Sequence, residues 1–256
     1  MEVSAGIHYQ YDFYGHAETL VFSNSLGCDL SMWEEQAAFF SPHFNVLRYD
    51  TRGHGKSEVT QGEYSIEMLA NDVIDLLDKL GIEKVLFCGI SMGGLIGQYL
   101  GIHAPQRIHK LIIANTAAKI GTVASWNSRI KEVNENGLLS IVSATEGRWF
   151  TPNFSEENPE TIKKILAVFA ATSSAGYRSC CAAVRDADFM STVSKITLPT
   201  LIISGTEDLS TTVLEGEYLK IKIPNSKLVT LKAAHISNIE CKDKFNKTVL
   251  HFIKKE

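Results

Sequence analysis

The chain is poor in cysteine, with five in 256 residues, and it has no CxxC pair. An odd count that includes the adjacent Cys180 and Cys181 argues against a disulfide framework and against a zinc site. Such thiols fit a reducing cytoplasm. The eight histidines show no HExxH spacing and no GxGxxG occurs, so no metal, nicotinamide or flavin cofactor is expected. No apolar run approaches the roughly 18 residues of a membrane span. The start, Met1-Glu-Val-Ser-Ala5, lacks the basic and apolar segments of a signal peptide. Positive charge is also lacking: 25 Lys and Arg against 29 Asp and Glu leave a net charge of -4. No broad cationic field is available for nucleic acid or an anionic membrane. What is present is ordinary globular composition, 45% hydrophobic and 21% charged, at a length routine for one α/β domain.

Short β-branched runs alternate with helical spacing. Thr19–Ser23, Asn45–Asp50, Lys84–Gly89 and Lys110–Ala114 read as strands. Ser65 reads as the N-cap of a helix whose apolar positions run from Met68 to Leu80 and which Gly81 stops. A second helix is expected from Ser91 to about His103. This alternation predicts an α/β fold with a mostly parallel sheet covered by helices on both faces. Residues 118–188 break the pattern: they carry helical segments and aromatics but no convincing strand. Strands resume at Pro199–Ser204 and Lys227–Leu231, and a last helix is expected over Asn238–Ile253. The simplest account is a core of residues 1–117 and 189–256 with a small helical cap, residues 118–188, inserted into it.

Gly89-Ile-Ser-Met-Gly-Gly94 matches GxSxG between an expected strand and an expected helix. The glycines permit the tight turn that thrusts a serine hydroxyl out at a strand end, and the helix N-terminus behind it favours developing negative charge. Ser91 is therefore the candidate nucleophile. A serine hydroxyl needs a base, and the base an orienting acid. His235 follows the strand ending at Leu231 and is the candidate base. Asp208 follows the strand ending at Ser204 and is the candidate acid, with Glu207 its local competitor. Ser, Asp, His at successive strand ends is the chain order of α/β-hydrolases. An oxyanion hole needs two backbone N–H groups, and those of Met92 and Leu26 are the candidates.

At these residues the chain resembles the 3-oxoadipate enol-lactonase group of α/β-hydrolases, enzymes of protocatechuate and catechol breakdown. The matching stretches include Ser23-Asn-Ser-Leu-Gly-Cys-Asp-Leu-Ser-Met-Trp33, Leu47-Arg-Tyr-Asp-Thr-Arg-Gly-His-Gly-Lys-Ser57, Cys88-Gly-Ile-Ser-Met-Gly-Gly94, Trp126-Asn-Ser-Arg129, Arg148-Trp-Phe-Thr-Pro152 and Ala233-Ala-His-Ile-Ser-Asn-Ile-Glu240. The resemblance implies the α/β-hydrolase fold with the cap after the sixth strand. It also implies hydrolysis of a small anionic lactone to 3-oxoadipate. One departure is visible: the family commonly has prolines after the acid, and this chain reads Leu209-Ser-Thr-Thr-Val213. An arginine suits the substrate carboxylate. Arg129, close to Trp126, is the first choice over Arg148, Arg178 and Arg185. Trp126 and Trp149 are expected either to line the pocket or to fill the cap. Asp50, Arg52 and His54 are read as bracing their loop. A carboxylesterase or C–C-bond hydrolase shares the triad, so cap chemistry must discriminate. A silent ligand receptor of the same fold would have lost a triad member, and none is lost.

Overall fold

The most apolar runs of the chain become strands buried on both faces. Every residue of Thr19–Ser23, Asn45–Tyr49, Val85–Ile90 and Thr200–Gly205 is buried. Continuous runs of this kind suit parallel strands covered by helices. The computed structural model describes residues 6–255. The chain runs β1 (Tyr9–Asp12), β2 (Thr19–Ser23), α1 (Glu34–Phe40), β3 (Asn45–Tyr49), α2 (Ile66–Lys79), β4 (Val85–Ile90), α3 (Met92–His103) and β5 (Ile108–Ala114). Five helices follow without a strand: α4 (Val123–Asn136), α5 (Val142–Trp149), α6 (Pro152–Glu157), α7 (Pro159–Ala171) and α8 (Ser174–Asp186). The sheet resumes with β6 (Thr200–Gly205), α9 (Val213–Lys222) and β7 (Ser226–Leu231), and α10 (Ser237–Glu240) and α11 (Lys242–Lys254) close the chain.

The seven strands lie in the order β1-β3-β2-β4-β5-β6-β7. Only β1 is antiparallel to its neighbour. The register decides where chemistry can happen. Ser23 pairs with Gly89, and Ile90 with Ala114, and Ala114 with Ile203. Four parallel strands thus end within three residues of one another at one side of the sheet, and the loops that leave them meet there.

Helix boundaries follow local chemistry. Ser65 caps α2, its Oγ accepting the Met68 N–H at 3.1 Å. Trp33 stacks on Phe22 with ring centroids 4.7 Å apart, fixing the chain after β2 against the sheet.

Three features differ from the expectations. Among the described residues the cap follows the fifth strand rather than the sixth, because only three strands precede the nucleophile strand β4. Strand β1 and helix α9 were not anticipated; β1 is a half-buried edge of four residues with little apolar signal. The last helix is two pieces, because Cys241 leaves the helical region at φ -126°, ψ 40°. No described helix is long and apolar enough to cross a membrane.

Candidate active site

The elbow after β4 begins with close packing. A Cβ on Gly89 would overlap the Gly93 carbonyl, and one on Gly93 would overlap the Ser23 carbonyl. Only glycine lets three chain segments approach this way. Ser91 takes the strain instead, at φ 56° and ψ -114°. Its N–H is held by the Ala114 carbonyl at 2.9 Å, and the Thr116 hydroxyl donates to its carbonyl at 2.9 Å. The hydroxyl is left free to face the cavity.

His235 meets that hydroxyl, with Nε2 2.8 Å from Ser91 Oγ. Its Nδ1 lies 2.8 Å from Asp208 Oδ2. The three side chains named from the sequence therefore form one hydrogen-bonded line, and all three residues are buried. Glu207 is exposed and takes no part. The acid loop is wound around its own carboxylate. Ser210 and Thr211 donate backbone N–H groups to Oδ1 at 2.8 and 3.0 Å, and the Thr211 hydroxyl donates to Oδ2. Prolines at these two positions could not donate. The Leu209-Ser-Thr-Thr departure thus supplies donors to the acid.

Burial pushes the Asp208 carboxyl up, but the His235 charge and hydrogen bond, the Thr211 N–H and Asn115 outweigh it and hold the group at about 2. A folded value below the ordinary 3.8 means stability that is present above the unfolded value and lost as pH falls through the folded one. The carboxylate contributes about 2 kcal/mol, of which about 1 kcal/mol is lost between pH 5 and pH 3. Urea unfolding of the wild type should therefore weaken over that interval by about this much more than that of Asp208→Asn. Equal acid slopes in the two proteins would show that the carboxylate is not held as described.

The backbone N–H groups of Leu26 and Met92 are the oxyanion donors expected from the sequence. Met92 opens α3, and Leu26 lies in the turn after β2. Neither has a hydrogen-bond partner among the described residues. Both can donate to an oxyanion formed on an acyl group at Ser91.

A cavity of about 200 Å³ opens above these groups. Arg129 from α4 and Arg148 from α5 both line it, and neither is paired with a carboxylate among the described residues. Arg129 lies over the Trp126 ring, 4.8 Å from its centroid. Arg148 donates to the Thr145 hydroxyl at 2.9 Å. Burial and then the Arg129 charge push the Arg148 guanidinium down to about 10, which leaves it cationic at neutral pH. Arg178 binds Asn134, and Arg185 binds Glu63 and Asp186, so these two are braces outside the cavity. Trp126 and Trp149 do both things expected of them. They line the cavity, while Trp126 donates to the Ile120 carbonyl and Trp149 packs edge-on against Phe169. Among the described residues no group of His, Cys, Asp and Glu is placed to hold a metal ion.

Comparison with known proteins gives this geometry its context. A family model described as alpha/beta hydrolase fold matches residues 18–241. The 3-oxoadipate enol-lactonase 2 of Acinetobacter baylyi is 47% identical over 241 residues, covering 93% of this chain and 90% of that protein. The 3-oxoadipate enol-lactonase 1 of the same organism is 41% identical over 239 residues, with the same coverage, 93% and 90%. The crystal structure of the enol-lactonase from Burkholderia xenovorans LB400 superposes with a TM-score of 0.96 at 44% identity, over 97% of this chain and 96% of that one. The chain belongs to the α/β-hydrolase family. Within it the resemblance is to enol-lactonases, and the protein is a hydrolase of ester bonds.

Several supporting residues of this α/β-hydrolase were given no role by the sequence reading. Asn115 follows β5 with a positive φ of 43°. From there its Nδ2 reaches Asp208 Oδ2 and the Ala234 carbonyl, each at 3.0 Å. It ties the acid loop to the base loop. Tyr177 of α8 lines the cavity beside both arginines. Glu240 joins the base loop to the cap: one oxygen accepts the Ala234 N–H at 2.9 Å, and the other accepts the Thr151 hydroxyl. Beside it, the Ile236 N–H donates to the Trp149 carbonyl at 3.1 Å.

Proposed function

We propose that this α/β-hydrolase opens the lactone ring of 3-oxoadipate enol-lactone to give 3-oxoadipate, within the breakdown of protocatechuate or catechol. The observation that carries this reading is the pair of guanidiniums without a carboxylate partner among the described residues, Arg129 and Arg148, in the same cavity as Ser91. A pocket for neutral esters has no use for two half-buried cations without counter-ions, which cost stability until an anion enters. An acyl substrate carrying a carboxylate fits them.

In this mechanism Arg129 and Arg148 hold the substrate carboxylate, and Trp126 and Trp149 shield the contact from water. Ser91 Oγ attacks the ring carbonyl while His235 Nε2 takes its proton, and Asp208 stabilises the imidazolium that forms. The N–H groups of Leu26 and Met92 receive the oxyanion. Collapse breaks the ring C–O bond, and His235 returns the proton to the departing enol oxygen. The enol tautomerises to the ketone, which makes ring opening hard to reverse. Water activated by His235 then releases the chain from Ser91. Residues 118–188 act as a cap that confers selectivity on a core of residues 1–117 and 189–256. The five free thiols support a cytoplasmic setting.

The decisive test follows the ultraviolet absorbance of the enol-lactone with purified protein. The expected result is turnover with kcat/KM at least about 10³-fold above that for p-nitrophenyl acetate, consistent with enzymatic specificity constants reaching 10⁴–10⁸ M⁻¹s⁻¹. Comparable turnover of both substrates would favour a general carboxylesterase instead.

A further inference from the structure

His54 was read from the sequence as bracing its own loop, but its ring reaches into the loop after β2. Residues Ser25 to Cys28 form a turn closed by the Cys28 N–H on the Ser25 carbonyl at 3.1 Å. Gly27 takes the third position with φ 86°, which is the type II arrangement. In that arrangement the central peptide is rotated by about half a turn relative to type I. The N–H of that peptide belongs to Gly27, and it donates to His54 Nε2 at 2.9 Å. Glycine itself tolerates both rotations. The acceptor on His54 therefore selects one of them.

The acceptor is well defined. Nε2 accepts, so the ring proton sits on Nδ1, which faces the Arg52 carbonyl at 3.3 Å and Cys180 Sγ at 3.8 Å. His54 is 1% exposed. Burial pushes its imidazole down to about 4 against the opposing pull of the Arg52 carbonyl, Asp50 and Asp29. The other end of the turn is pinned independently. The Gly93 N–H donates to the Asn24 carbonyl, Trp33 Nε1 donates to Asn24 Oδ1, and Asn24 Nδ2 donates to the Tyr49 carbonyl. The corner of the turn, the Leu26–Gly27 peptide, is held by the histidine, so the placement of Leu26 depends on both anchors.

We propose that His54 is a positioning residue of the oxyanion hole: by accepting the Gly27 N–H it anchors the corner of the turn, and with it the adjoining residue Leu26, whose own N–H, one peptide earlier, is offered to the acyl oxygen on Ser91. The inference rests on the reading of Leu26 and Met92 as oxyanion donors. His54 touches no reacting atom and lines no part of the arginine subsite. Its loss acts on the transition state and spares the bound ground state.

The test compares the wild type with His54→Ala and His54→Gln. Each protein is assayed on the enol-lactone. Each is then titrated with adipate, which offers a carboxylate to Arg129 and Arg148 but no ester, and with a trifluoromethyl ketone, whose serine adduct carries a tetrahedral oxyanion. His54→Ala is expected to lower kcat about 10- to 100-fold and to weaken the ketone by a similar factor, while KM and adipate affinity stay within about 2-fold. His54→Gln places a side-chain carbonyl near the position of Nε2 and should recover most of the loss. The inference is overturned if His54→Ala keeps its kcat, if the ketone does not weaken as kcat falls, or if His54→Gln is as impaired as the alanine variant. A ketone that fails to inhibit the wild type would instead overturn the oxyanion reading on which the inference stands.

Discussion

Alanine at Ser91 or at His235 is expected to lower kcat on the enol-lactone by at least about 10³-fold, with the double variant scarcely worse than either single one. The reason is geometric. Ser91 Oγ, His235 and Asp208 form one line with 2.8 Å at each junction, so the serine proton has a single acceptor and that acceptor a single orienting carboxylate. Removing one member disables the function of the others, and the energies do not add. What remains in each variant is binding by the arginines and polarisation by the two N–H groups. Steady-state kinetics on the four proteins measures this directly. A His235→Ala enzyme that keeps most of its activity would end the assignment.

The second large effect is one of selectivity. Arg129→Met and Arg148→Met should each raise KM for the anionic lactone about ten- to a hundred-fold, the worth of a desolvated charge-assisted hydrogen bond. Hydrolysis of p-nitrophenyl acetate should barely change, because it brings no carboxylate. Arg129→Lys should recover only part, since an ammonium lacks the planar fork that grips both carboxylate oxygens. A further sign separates recognition from damage. The Arg129 charge helps to push the Arg148 guanidinium down, so the two repel each other across the cavity. Arg148→Met should therefore raise the Tm of the ligand-free protein while reducing the rise that adipate produces. Equal loss on both substrates would mean that the arginines hold the cap together instead.

The triad was legible in the sequence because each member follows an apolar strand, and parallel strands in register bring their ends to one edge. Ser91 was marked by GxSxG, and Asp208 and His235 by their order and their places after later strands, without knowledge of the loops between them. The arginines were not separable in the same way. Arg129, Arg148, Arg178 and Arg185 all lie on cap helices, and which of them faces the cavity depends on how those helices pack on one another. The structure puts Arg148 beside Arg129 and turns Arg178 and Arg185 toward Asn134 and Glu63. Asn115 lay in a stretch that resembles the family, but its role was not readable, since it depends on a left-handed backbone at the end of β5. Strand β1 was missed because its partner on β3, more than its own residues, makes it a strand.

The link through Glu240 constrains how such enzymes can be recombined. The cap ends of α5 and α6 reach the base loop through the Trp149 carbonyl and the Thr151 hydroxyl. The core answers with Ile236 and Glu240. A chimera that grafts residues 118–188 from one relative onto the core of another imports a new set of pocket side chains. It also imports half of the seam that aligns His235. Grafts that keep Thr151 on the donor side and Glu240 on the acceptor side are expected to retain a working histidine. Those that mismatch the seam are expected to lose turnover on every substrate, however well the new pocket fits.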